Sequence, residues 1–180
     1  MQQMKGVSIS QGLAVGKIVV LTSAAAPEAQ AGTPEEELAR FQRAQQQAVR
    51  DLGALYEKAR AELGEAEAEI FSVHQLMAED EDFADLITAA IAGGAEASEA
   101  VRQAGEQCAA MFSGMDDELT RQRASDIADV REDLLGIMLG AEQVDLGAIE
   151  PGTVLVAHDF TPSMTGKMNR EHVAAIVAEG

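Results

Sequence analysis

The chain is poor in bases, aromatics and cysteine. Thirteen Lys and Arg stand against 31 Asp and Glu, giving a formal charge of −18. Such a chain lacks the clustered cations that nucleic acid or an anionic membrane surface requires. The charge favours a basic protein partner, although solubility alone would also account for it. Five phenylalanines, one tyrosine and no tryptophan leave Ala, Leu, Ile, Val and Met to fill a core. Cys108 is the single cysteine, which excludes an intrachain disulfide and fits a reducing compartment. Its setting, GEQCAAMF, reads as helix and makes it a small core residue rather than a nucleophile. There is no run of about 18 apolar residues for a membrane span, and MQQMKGVSISQG carries no secretory pattern. The expectation is a cytoplasmic chain of one domain or two small ones.

What is present changes character twice along the chain. Residues 6–21, GVSISQGLAVGKIVVL, read as strand, glycine turn and strand. A linker of small residues follows. Residues 33–140 then read as helix. Thr33, Pro34 and Glu36 form a start signal with a capping box, and Leu38, Phe41, Ala48, Leu52, Leu55 and Ala59 make one apolar stripe that Gln45 interrupts. After a break at Gly64, a second stripe runs from Ile70, Val73 and Met77 through Phe83, Leu86 and Ile87 to Gly93-Gly94. Ser98 is placed to cap a third helix that turns Val101, Ala104, Cys108, Met111 and Phe112 inward. Asp116 is placed to cap a fourth, which buries Leu119, Ile127, Val130 and Leu134 and stops at Gly140. Beyond it, Val154–Ala157 and Val173–Val177 read as strands, separated by a loop and a short helix.

The fold class that follows is α + α/β: a bundle of the four-helix type inserted in an incomplete α/β domain. Residues 1–24 and 144–180 would form the α/β part, and residues 33–140 the helical part.

No catalytic set stands out from residue chemistry. His74 has no second ligand at metal spacing. Alone beside the run Glu79, Asp80, Glu81 and Asp82, it reads as a surface histidine or as part of a contact surface. His158 and His172 lack a triad arrangement, and GLAVGK lacks the phosphate-loop glycine pattern. Four like charges in a row must face water or meet a basic partner.

Four stretches carry a resemblance: GVSISQGLAVGKIVVL, AEIFSVHQLMAEDEDF, RASDIADVREDLLGIMLG and VLVAHDFTPSMTGKMN. Together, and in this order, they resemble the N-terminal region of Enzyme I of the bacterial phosphoenolpyruvate:sugar phosphotransferase system. The resemblance implies a phosphotransferase that moves phosphate from phosphoenolpyruvate to a histidine of its own, and from there to a histidine of the carrier protein HPr. The phosphorylated histidine of the family lies in a G-G-x-T-S-H motif, expected just after Gly180. This chain would therefore hold no catalytic residue and accept no phosphate itself. Phosphoenolpyruvate and Mg2+ would belong to a separate C-terminal domain, with no cofactor or metal in this chain.

The helical part would supply the HPr-docking surface, with Glu67, Glu69, His74, Met77, Asp80, Glu81 and Asp82 as its contact strip and Met111, Met115 and Arg123 at its border. Thr165 would support the phosphohistidine through its hydroxyl. Ala128 and Asp129 stand where many members carry basic residues, which weakens any contact from that turn. Two other readings remain open: the docking domain of a nitrogen-branch or dihydroxyacetone-kinase-linked relative, and a non-catalytic acidic helical interaction module.

Overall fold

The computed structural model describes residues 7–21, 32–139 and 144–179. Gly6, most of the linker after Leu21 and the expected helix stop at Gly140 lie outside the described residues.

The first helix, α1 (Pro34–Glu62), begins as its sequence dictates. The Thr33 hydroxyl accepts from the Glu36 amide, the Glu36 carboxylate accepts from the Thr33 amide, and Pro34 sits where no intrahelical donor is needed. Its inner stripe is Phe41, Ala44, Ala48, Leu52, Leu55 and Ala59, all buried. The chain reverses at Gly64, whose φ of 115° is a conformation that side chains resist, and α2 (Glu65–Ala78) packs back along α1. Gln45, the break in the α1 stripe, has a use here: its amide donates to the Ala78 carbonyl at 2.8 Å, satisfying an orphan acceptor at the end of α2.

The stripe read as one helix from Ile70 to Ala90 is two. After α2 the chain bends at Glu79 and Asp80, and α3 (Glu81–Ala92) starts afresh. The Asp80 carboxylate accepts from the Phe83 amide at 2.9 Å, making it the N-cap, and Glu81 and Asp82 occupy the first turn. Helix starts favour carboxylates, because the unpaired amides and the macrodipole attract negative charge. The acidic run is therefore a helix-initiation signal set in the middle of an apolar pattern, and the bundle has its second expected helix broken in two.

Two helices complete the bundle, α4 (Ala97–Ser113) and α5 (Glu118–Leu139). Ser98 does not cap α4. The N-cap is Glu96, whose carboxylate accepts from no amide of the helix, and the Ala97 amide donates instead to the Glu37 carboxylate of α1 at 2.8 Å. Glu37 is buried. Desolvation pushes its carboxyl up, but the amides of Ala97 and Gly32 and the Arg40 guanidinium outweigh that and hold it below the usual glutamate value. Arg40 also bonds Glu96 at 3.2 Å and the Met138 carbonyl at 3.1 Å, so one guanidinium joins the start of α1, the start of α4 and the end of α5. Asp117, not Asp116, caps α5, accepting from the Thr120 amide at 2.8 Å.

The sheet has three parallel strands, β1 (Lys17–Leu21), β2 (Thr153–Ala157) and β3 (Val173–Ala178), in the order β1-β2-β3. The strand pair expected over residues 6–21 is reduced to β1. Val7, Ile9, Leu13 and Val15 are exposed and pair with nothing among the described residues. One face of the sheet covers a small core of Leu146, Ile149, Leu155 and Met168. A sixth helix, α6 (Pro162–Lys167), capped by Thr161, lies between β2 and β3. It meets the bundle closely: a Cβ on Gly166 would sit 2.7 Å from the Phe71 ring, and Lys58 of α1 donates to the Gly166 carbonyl at 3.0 Å.

Candidate functional site

His74 does not lie on a contact strip. It is fully buried, in line with Ala68, Phe71 and Ala78 on the core face of α2. The spacing of three and four residues from Phe71 to His74 to Ala78 carries it inward, because a helix turns such positions to one side. Neither ring nitrogen has a hydrogen-bond partner, and Nε2 stands 3.6 Å from the Asp126 carboxylate of α5. Burial pulls the imidazole below its ordinary value of 6.5, against the upward pull of Asp126 and Asp133.

The remaining expected residues fall into two groups. Asp80, Glu81 and Asp82 are exposed at the α2–α3 junction. They sit beside α4: burial first, then the charges of Asp80 and Asp82, push the Cys108 thiol up. Met111 and Met115 are exposed at the end of α4, contrary to an inward-facing Met111. Met77 is half-buried against the core, and Arg123 is half-buried with its guanidinium on Asp126 at 3.1 Å. Glu69 is exposed on α2. Glu67 and Thr165 lie elsewhere, in a cleft of about 280 Å3 between α1, α2 and α6, with Lys58 and Arg170 at its edge. The Thr165 hydroxyl donates to the Pro162 carbonyl at 2.9 Å, so it is held within α6.

Two apolar residues of this face were not expected on it. Leu76 is 67% exposed, and Leu119, expected in the core, is 71% exposed. Leu119 follows the α5 stripe, but the buried residues of α4 end at Cys108, so the first turn of α5 has no core opposite it. Leu76 could have been found from its spacing, since it lies two residues beyond buried His74 and two before buried Ala78. Leu76, Met111, Met115 and Leu119 are thus exposed near the end of α2, the end of α4 and the start of α5, with the exposed acids Asp80, Glu81, Asp82, Asp116 and Asp117 at the neighbouring helix junctions. An apolar centre with a charged rim is the anatomy of a protein interface.

On the inner side of α5, Asp126, Asp129 and Asp133 follow one another at helical spacing. Burial first, then the charges of Asp133, Asp126, Asp159 and Glu132, push the Asp129 carboxyl up to about 7. Lys167 of α6 reaches Asp133 at 3.3 Å. Among the described residues no group of three or more His, Cys, Asp or Glu is arranged to hold a metal ion, and no helix is long and apolar enough to cross a membrane.

Comparison with known proteins points the same way. The profile of the family described as "PEP-utilising enzyme, N-terminal" matches residues 5–123. The phosphoenolpyruvate-protein phosphotransferase of Listeria innocua is 32% identical over 181 residues, covering 99% of this chain and 32% of that protein. The protein of the same name from Haemophilus influenzae is 35% identical over 179 residues, covering 97% of this chain and 31% of its own length. The chain spans about a third of the length of these curated relatives. An NMR solution structure of an Enzyme I protein, 31% identical, matches with a TM-score of 0.76 over 97% of this chain and 72% of that one. The N-terminal domain of a nitrogen Enzyme 1 matches in fold with a TM-score of 0.66 at 19% identity, over 88% of this chain and 67% of that one. An inserted helical bundle on a small parallel sheet, a profile match over most of the chain and these likenesses agree: the chain belongs to the family of PEP-utilising enzyme N-terminal domains and has the fold of the N-terminal domain of Enzyme I.

Proposed function

We propose that the chain is the carrier-docking part of a phosphoenolpyruvate-protein phosphotransferase, and that its partner is HPr or an HPr-like phosphocarrier. In this reading the whole protein takes phosphate from phosphoenolpyruvate onto a histidine and hands it to a histidine of the docked carrier. Phosphoenolpyruvate and Mg2+ would engage the remainder of the protein. The observation that carries the reading is the exposure of Leu76, Met111, Met115 and Leu119 on helix ends that also bear the acidic α2–α3 junction. A cationic carrier would be drawn to that rim by the −18 charge of the chain and held by the apolar centre. Thr165, on α6 at the cleft, would steady the phosphorylated group through its hydroxyl.

Calorimetric titration with purified HPr tests this. Glu81→Lys with Asp82→Lys reverses the rim while keeping the Asp80 cap. It is expected to weaken binding about tenfold or more at low salt, with the loss shrinking as salt rises. Leu119→Ser is expected to weaken binding with little salt dependence. Unchanged affinity in both variants would overturn the docking reading.

A further inference from the structure

Asp126 is shared between two basic groups of unlike position. Its Oδ2 lies 3.1 Å from Nη1 of Arg123, and its Oδ1 lies 3.6 Å from Nε2 of His74. Arg123 has 43% of its side chain exposed, one helical turn beyond exposed Leu119 on α5, whereas His74 has none. The carboxylate itself is mostly covered, with 15% exposure. A buried imidazole with no hydrogen-bond partner is costly as it stands. A proton on it is stabilised mainly by this one carboxylate, and is opposed by the guanidinium that the same carboxylate holds.

Asp129, between Asp126 and Asp133 on the same side of α5, is a second titrating group there, pushed up to about 7, and NMR titration of the imidazole signals reads His74 separately from it. Asp126, Asp133 and Arg123, all on α5, act on the imidazole. Asp133 is itself engaged by Lys167 of α6. From α1 comes the neutral Gln45, bonded to the Ala78 carbonyl. Glu81, Asp82 and Asp85 of α3 are at exposed positions.

We propose that Asp126 couples a proton on His74 to the docking face through Arg123, so that protonation of His74 and binding of a cationic carrier oppose one another. This rests on the docking reading for its partner. The sign follows from Coulomb's law: a cationic carrier near Arg123 adds positive field at the imidazole and favours its neutral form, and by linkage a protonated His74 weakens the carrier's hold. Carrier binding therefore releases protons, and carrier affinity falls as pH drops through the titration of His74, below its ordinary value of 6.5.

The test has two arms. In the chain alone, NMR titration of the imidazole signals follows His74 in wild type, Arg123→Gln and Asp126→Asn. The first substitution is expected to raise its midpoint and the second to lower it, each by roughly half a unit or more. No movement in Arg123→Gln overturns the proposal. With HPr, calorimetry at the His74 midpoint found in the first arm, in two buffers of different ionisation enthalpy, counts the protons released. Release is expected in wild type and should be reduced in Asp126→Asn, which separates it from titration of the carrier's own groups. Binding with equal release in both overturns the coupling and leaves docking intact. Absence of binding in every condition removes the docking reading, and the coupling with it.

Discussion

Asp129 is a carboxyl made weak by its surroundings. Its folded value of about 7 stands well above its ordinary 3.8. Between these two values the folded chain holds a proton that the unfolded chain has lost, so stability falls as pH rises through this window. At pH 8 the folded state carries the full penalty of a half-buried charge among four like charges. Asp129→Asn is expected to stabilise the protein there by on the order of 2 kcal/mol, a figure discounted for partial exposure, with the gain vanishing near pH 4. Thermal or urea unfolding across that range checks it. Little of this was legible in the sequence, where Asp129 appeared only as an acid at a position for which the resemblance implied a base. His74 shows the same limit: an isolated histidine beside four acids looked solvent-facing, yet its spacing from Phe71 and Ala78 placed it inside. The periodic signal was present and the local composition masked it.

At the scale of elements, starts and stops were read better than continuity. The α1 start and the breaks at Gly64 and Gly93-Gly94 follow from local chemistry, and each falls where it was expected. The α2–α3 junction was missed because apolar residues recur across it at spacings that a single helix would also produce. The decisive element is the Asp80 cap, so its two roles can be separated by substitution. Asp80→Ala is expected to cost about 1 kcal/mol of stability through loss of the cap, whereas Asp80→Asn keeps a capping oxygen and should cost only a few tenths. Urea unfolding at neutral pH distinguishes these outcomes. Equal loss in both variants would mean that charge, not capping, holds the junction. Of the candidate face, the exposed positions of Asp80, Glu81, Asp82 and Met115 were legible, whereas Met111 was read both as core and as border. Leu119 was not, because an apolar residue at helical spacing reads as core until the neighbouring helix is known to end; the signal for Leu76, two residues from both His74 and Ala78, was present and was not used.

For the whole molecule, the return from helix to strand was enough to suggest a bundle inserted in an α/β unit, since two distant β segments need each other to pair. The sequence overstated the first segment because residues 7–16 have the composition of a strand but no partner edge among the described residues. The two cores are very unequal. The bundle buries residues from five helices, while the sheet covers Leu146, Ile149, Leu155 and Met168, with Ile18, Val20, Ile176 and Val177 exposed. Local opening is governed by how much apolar surface an element buries. Amide hydrogen exchange is therefore expected to be faster in β1 and β3 than in α1, α4 and the second half of α5, and protection of the strands equal to that of the bundle would contradict this account.

Arg40 and Glu37 bind together the tips of three helices at the end of α4 and α5 opposite to Leu119. That end is stitched by directional bonds, which break abruptly when stretched. The other leaves Leu76, Met111, Met115 and Leu119 exposed. The two ends should therefore fray unequally: amides at the stitched end are expected to exchange more slowly than those around the turn between α4 and α5.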